Sequence, residues 1–315
     1  MKTERRNLIG LSPELDEVIV DFAFLAHHYQ GLHPGNAGDV SQVLAAETSG
    51  LLTSEFKGSL SEWYEIERIE RLGEIRGDGR RGYRAEGVKD EQFYELTRAM
   101  AGRVFLITRT GAQIPSIEHT VRLGQDGKLL NVMEVDETGR RVRVVYGNVQ
   151  YGSIPSIETH VHVLANSISL VEGEENPAVV HCHPYQLTLL ARLKEVQGDF
   201  GRLNALVYTQ AEGLLRNYPG LIGVVPYFPS GSELLVVNSI TPLTNYRFVL
   251  WVNHGLVVRA ANIRRAYDLI AYGEESAKAA LDSLRLGARG LPIDAVRDFL
   301  EAKGLLAAYE ELPSR

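Results

Sequence analysis

A single cysteine, Cys182, is the only thiol in this chain of 315 residues. No disulfide can form within it, and a reducing compartment, the cytoplasm, is the expected location. Long apolar runs are also missing. The N-terminal stretch is broken by Gly10, Pro13, Glu14, Asp16 and Glu17, and no later segment approaches the roughly 20 apolar residues a membrane span needs. A soluble protein with neither signal peptide nor membrane partner is therefore expected. Positive charge is in short supply as well: 33 Lys and Arg stand against 40 Asp and Glu, for a net charge of −7. No basic field advertises DNA, RNA or an acidic membrane as a partner. Arginines do gather between Arg68 and Arg84, but Glu70, Glu74 and Asp78 interleave with them, as in a solvated mixed-charge surface.

What is present is enough apolar material, 44% of residues, to fill a core over one large domain. Ser12-Pro13-Glu14 opens a helix, with Ser12 as cap and Leu15, Val18, Phe22 and Leu25 at helical spacing, ending near Gly31. Residues 33–44 read as a glycine- and asparagine-rich loop entering a strand. Residues 47–102 are charged and weakly periodic, and are expected to be a surface insertion in the same domain. Residues 104–108 form a strand, and 129–135 with 141–146 a hairpin around Glu137-Thr138-Gly139. Further on, helices are expected over 158–170, 184–198, 201–216, 263–286 and 293–303, with strands over 178–183, 221–227 and 233–238 and a strand pair around Gly255. Strands alternating with helices give an α/β domain with helices on both faces of a sheet.

Four of the nine histidines fall in His-x-His pairs. His181 and His183 lie in VVHCHP. On a strand, side chains two apart share a face, so both imidazoles can reach one metal ion, and Cys182 points to the opposite face as packing. The proline and helix that follow put the pair at a strand's C-terminal end, a common place for α/β sites. His254 sits in FVLWVNHGLVVR. Alone it would be read as a core histidine bonded to a backbone carbonyl, but with the His-x-His pair elsewhere and Gly255 permitting close backbone approach it becomes a third ligand. Three neutral imidazoles with an open position describe a catalytic site for zinc or another divalent cation. His160 and His162 are weaker candidates: on a helix they diverge, whereas Glu158 and His162 share a face. Glu158, expected at a pocket edge, is a carboxylate able to shuttle a proton, or one that merely complements a helix dipole.

Taken in order, NAGDVSQVL, RTGAQ, PSIETHVHV, VVHCHPYQLTLL and WVNHGLVV resemble the class II aldolase/adducin family over roughly residues 15–305. The resemblance implies a three-layer α/β/α fold with a largely antiparallel central sheet, and a homo-oligomer, often a cyclic tetramer. It places the metal ligands on His181, His183 and His254 and the catalytic glutamate on Glu158. The reaction implied is zinc-dependent aldol cleavage of a hydroxy-ketone, sugar or sugar phosphate through an enediolate. The same family includes sugar-phosphate epimerases and non-catalytic adducin-like interaction proteins, which stand as alternatives. Substrate-binding positions fall on Asn36, Asp39, Ser41, Thr110, Gly111, Ala112 and Ser156. Several depart from the family's phosphate-binding pattern: Asp39 replaces an asparagine, Val43 an arginine, Ala112 and Gln113 a serine and a glycine, and Ile157 a hydroxyl residue. Phosphate recognition is therefore expected to be weakened, leaving a free hydroxy-ketone, a keto acid or a rearranged phosphate pocket. Tyr185, Tyr208, Tyr218 and Tyr227 are all available as the acid that protonates the leaving oxygen.

Overall fold

Strand β6 (Ala178–Cys182) shows how the sequence builds the sheet. Its side chains alternate: Ala178, Val180 and Cys182 join one buried cluster, while Val179 joins a second on the opposite face. The computed structural model describes residues 7–28, 38–66, 91–147, 156, 158–197, 199–210, 212–218 and 220–304. In it, β6 lies mid-sheet among β1 (Asp39–Val43), β2 (Tyr64–Glu65), β3 (Val104–Thr108), β4 (Leu130–Val135), β5 (Arg141–Tyr146), β7 (Ile222–Val225), β8 (Phe248–Trp251) and β9 (Gly255–Ala260). The nine strands run in the order β2-β5-β4-β3-β1-β6-β9-β8-β7.

Helices cover both faces. On the side of Val180 and Cys182 lie α1 (Pro13–His28), α6 (Tyr185–Leu190), α7 (Phe200–Tyr208), α8 (Glu212–Asn217), α10 (Ile263–Leu286) and α11 (Ile293–Ala302). On the side of Val179 lie α3 (Glu91–Thr97), α5 (Thr159–Val171) and α9 (Glu233–Asn245). Two further helices, α2 (Ala46–Glu55) and α4 (Ile117–Arg122), flank the strands near β3 and α1. The expected cap is present, with Leu15 N donating to Ser12 Oγ at 3.1 Å. On α10, Ile263, Ala266, Ile270, Gly273, Ala277 and Ala280 form the buried stripe, Asn262 caps the start and Gly287 ends it in the left-handed region.

One expectation fails and another holds only in part, for one reason. Residues 233–238, read as a strand, are the first half of α9. Leu234-Leu235-Val236-Val237 looks like a strand, but Ser232 accepts from Leu235 N, and Leu235, Val236, Ser239, Ile240 and Leu243 bury at helical spacing. Because α9 is a helix, it serves as the crossover between β7 and β8, and these pair in parallel. The sheet, expected to be largely antiparallel, is thus mixed: β7–β8 is parallel, and the other pairings are antiparallel.

Smaller differences concern helix ends. The helix expected over 184–198 stops at Leu190, and that over 201–216 is broken after Tyr208. Of the stretch 47–102, residues 67–90 lie outside the described residues. Its flanks are anchored, with Leu52, Phe56, Ile66, Phe93 and Met100 buried and β2 paired to β5.

Candidate metal centre

His181 occupies β6 one residue before its end, and His183 follows directly beyond it. Across the sheet, His181 is the register partner of Val257 and Cys182 of Leu256 on β9. The turn 252–254 joins β8 to β9, so His254 emerges beside the pair, with Trp251 and Gly255 closing the turn as partners. Asn253 adopts φ 60°, one of few side-chain-bearing residue types that tolerate that region at small cost.

The three rings converge. His181 Nε2 and His183 Nε2 are 3.1 Å apart. Ring centroids lie 4.9 Å apart for His181–His183 and His181–His254, and 5.4 Å for His183–His254. One nitrogen from each ring falls within 4.8 Å of the others. His181 Nδ1–H donates to Leu256 O at 3.0 Å, which leaves the lone pair on Nε2, facing the cluster. Burial lowers all three rings, His254 to about 4 and His181 well below its ordinary 6.5, so they stay neutral, the form that ligates. Trp251, itself buried, flanks the cluster with its ring 5.0 Å from those of His181 and His254.

Glu158 stands at the N-cap position of α5 and reaches the same place: Oε2 is 3.3 Å from His181 Nε2 and Oε1 is 3.5 Å from His254 Nε2. Ser230 Oγ donates to Glu158 Oε1 at 2.7 Å. Burial first, and the charge of Asp39 second, push the Glu158 carboxyl up to about 8. No side-chain cap bond is made by Glu158. Its role at the cavity thus stands apart from helix capping.

A cavity of about 160 Å³ opens onto these groups, and Asp39, Thr110, Gly111 and Ser156 from the expected substrate-binding set line it with them. Ser41 and Ala112 do not. Ser41 lies behind the wall, bonded to His162, and Ala112 is buried. Asn36 lies outside the described residues. Rather than meeting Glu158, His162 places Nε2 2.5 Å from Asp39 Oδ1, with Nδ1 2.6 Å from Ser41 Oγ. His160 is buried on the same helix and does not line the cavity. None of the four tyrosines lines it either. Tyr208 and Tyr218 donate to the carbonyls of Gly220 and Leu221, and Tyr185 and Tyr227 are exposed. Sequence reasoning missed Arg109 and Ser230, both in the cavity wall. Arg109 stood in view within RTGAQ, whereas nothing local marks Ser230.

Residues 97–281 match the family described as the Class II Aldolase and Adducin N-terminal domain. The chain belongs to this family. Among curated relatives of this class II aldolase family member, rhamnulose-1-phosphate aldolase of Listeria monocytogenes is 24% identical over 182 residues, covering 58% of this chain and 63% of that enzyme's length. The enzyme of the same name from Mannheimia succiniciproducens is 23% identical over 211 residues, covering 66% and 75%. Among solved structures, a sugar-phosphate aldolase from Thermotoga maritima aligns with TM-score 0.59 at 23% identity, covering 87% of this chain and 95% of that one. An aldolase II superfamily protein from Pseudomonas syringae aligns with TM-score 0.52 at 12% identity, covering 95% and 93%. These structures share the class II aldolase fold. Among the described residues, no helix is long and apolar enough to cross a membrane.

Proposed function

We propose that this chain is a metal-dependent aldolase, a carbon–carbon lyase acting on a small hydroxy-ketone. The observation that carries the reading is the convergence of three neutral imidazoles and Glu158 on one cavity. The donor set fits a cation. Two ring nitrogens facing each other at 3.1 Å, one with its lone pair fixed inward by the Leu256 carbonyl, repel unless a proton or a metal ion lies between them. His181, His183 and His254 would hold the ion; three imidazoles with no thiolate suit zinc, and leave a position for substrate oxygen. Bound there, the ion supplies a Lewis acid that withdraws electron density from the substrate carbonyl.

The remaining steps belong to the chain's own side chains. Glu158 moves the proton at the carbon next to the carbonyl. A carboxyl held near neutrality can both give and take it, as acid/base catalysis requires. Ser230 fixes one carboxyl oxygen and leaves the other turned to the cluster. Trp251 walls the imidazoles from one side, keeping bulk water from their rings.

A scaffold protein of the adducin kind has no need of this polar cluster, which costs desolvation at every buried ring. The reading takes the chain as one class II aldolase-like domain in a homo-oligomer. Cleavage of hydroxy-ketones should be abolished by chelator and restored by zinc, and lost in Glu158→Gln with metal content intact. Cleavage indifferent to chelator, or full activity in Glu158→Gln, would sink the proposal.

A further inference from the structure

We propose that Asp39 makes this cavity selective for a substrate whose end group is an uncharged hydroxyl, and against one that ends in phosphate or carboxylate. The substrate part of this proposal rests on the aldolase reading, but the binding preference does not.

The geometry begins with β1. Asp39 is the register partner of His181 across the β1–β6 pair, so the two side chains share a face, and both line the cavity. Asp39 is only 5% exposed and cannot swing away. His162 Nε2–H donates to Oδ1 at 2.5 Å, and the Ser156 hydroxyl donates to Oδ2. His162 is braced in turn by Ser41, and Ser41 accepts from Asn166 Nδ2 at 3.0 Å, so the wall is supported back into α5. Two donors, the His162 ring N–H and the Ser156 hydroxyl, point at the two carboxyl oxygens, an arrangement that favours the ionised form of Asp39. A fixed negative charge therefore faces the cavity, with acceptor capacity to spare, since a carboxylate offers about four lone-pair directions and two are used.

Part of the donor set an anion would need is committed elsewhere. The Ser156 proton goes to Asp39. Arg109 spends Nε on Thr110 O at 3.1 Å and Nη1 on Lys128 O at 3.3 Å, bracing its own loop. Thr110 and Gly111 remain in the wall as neutral loop groups. A hydroxyl can accept from that loop and donate to Asp39 at once. A phosphate or carboxylate has no proton to offer Asp39 at neutral pH and meets its charge in a space of about 160 Å³.

The test compares wild type with Asp39→Asn at equal metal content, with Asp39→Ser as a second variant should the first not fold. Orthophosphate binding is measured by calorimetry, where any contribution of the cation is common to all forms. Asp39→Asn is expected to bind phosphate at least tenfold more tightly than wild type. In parallel, kcat/KM for rhamnulose should exceed that for rhamnulose 1-phosphate in wild type, and the ratio should shrink at least tenfold in the variant. Equal phosphate behaviour in wild type and variants, whether all bind or none do, overturns the proposal, as does a wild-type preference for the ester. Failure to cleave either ketose would count against the aldolase reading alone, and calorimetry would still decide the role of Asp39.

Discussion

Gly255 packs against the backbone of Cys182 so closely that a β-carbon on it would lie 2.5 Å from the Cys182 carbonyl oxygen and 2.8 Å from the rings of both His181 and His183. The close approach of β9 to β6 is what lets the turn carrying His254 meet the other two rings. Gly255→Ala should therefore push β9 off β6 at the cluster. Overpacking of this kind costs about 1–3 kcal/mol, but the sharper expectation concerns the metal, with zinc affinity falling at least tenfold. Calorimetric zinc titration beside thermal unfolding checks it. An alanine variant that binds zinc like wild type would show that the close approach is not needed.

Ser230 should matter to turnover more than to stability. Its hydrogen bond to Glu158 is worth roughly 1 kcal/mol, so Ser230→Ala should lower kcat about fivefold with KM little changed. Ser230→Thr keeps the hydroxyl and should recover most of the loss. Loss of folding in the alanine variant, or no recovery with threonine, would count against a positioning role.

Much of this site could be read from the chain. VVHCHP announces itself because two histidines at strand spacing interrupt apolar residues that have no other use for them. His254 follows from a histidine and a glycine inside an apolar run. Asp39 with His162, and Ser230 with Glu158, could not be read. They are 123 and 72 residues apart, and only the packing of α5 against β1 and the loop before α9 bring them together. The same limit produced the error at α9, where four apolar residues carry a strand's composition, but Ser232 and the buried spacing beyond it decide for a helix. The one parallel strand pair follows from that helix, within a sheet the family resemblance had implied to be largely antiparallel.

The metal-free protein should have a stability maximum near pH 7, about half a unit above the ordinary histidine value. Burial, with neighbouring rings contributing less, lowers His160 and His254 to about 4, and it lowers His181 and His183 too, from the ordinary value of 6.5. As pH drops below 6.5, the unfolded chain takes up protons that the native rings refuse, and stability falls. Glu158 acts in the opposite sense: raised from 4.5 to about 8, its contribution is full below 4.5 and is lost as pH climbs through 8. Below about pH 7 four rings outweigh one carboxyl; above it the carboxyl dominates. Thermal unfolding from pH 5 to 8.5 should show a falling alkaline side that flattens in Glu158→Gln. A melting temperature that climbs steadily to pH 8 in both forms would contradict this.

Cys182 should be silent in the folded protein. It is fully buried on the face away from the histidines, and burial pushes its thiol well up, with Glu274 adding to the shift. A thiol reagent should label nothing in the native state and one equivalent after unfolding. Labelling of folded protein at the rate of a free thiol would mean that β6 opens.

Metal analysis of purified protein is the most direct measurement. Wild type should carry one zinc or other divalent ion per chain, and each of His181→Ala, His183→Ala and His254→Ala should lose it while remaining folded. A folded wild-type protein that takes up no metal under any loading condition, or one that keeps a full equivalent in His254→Ala, would contradict the account.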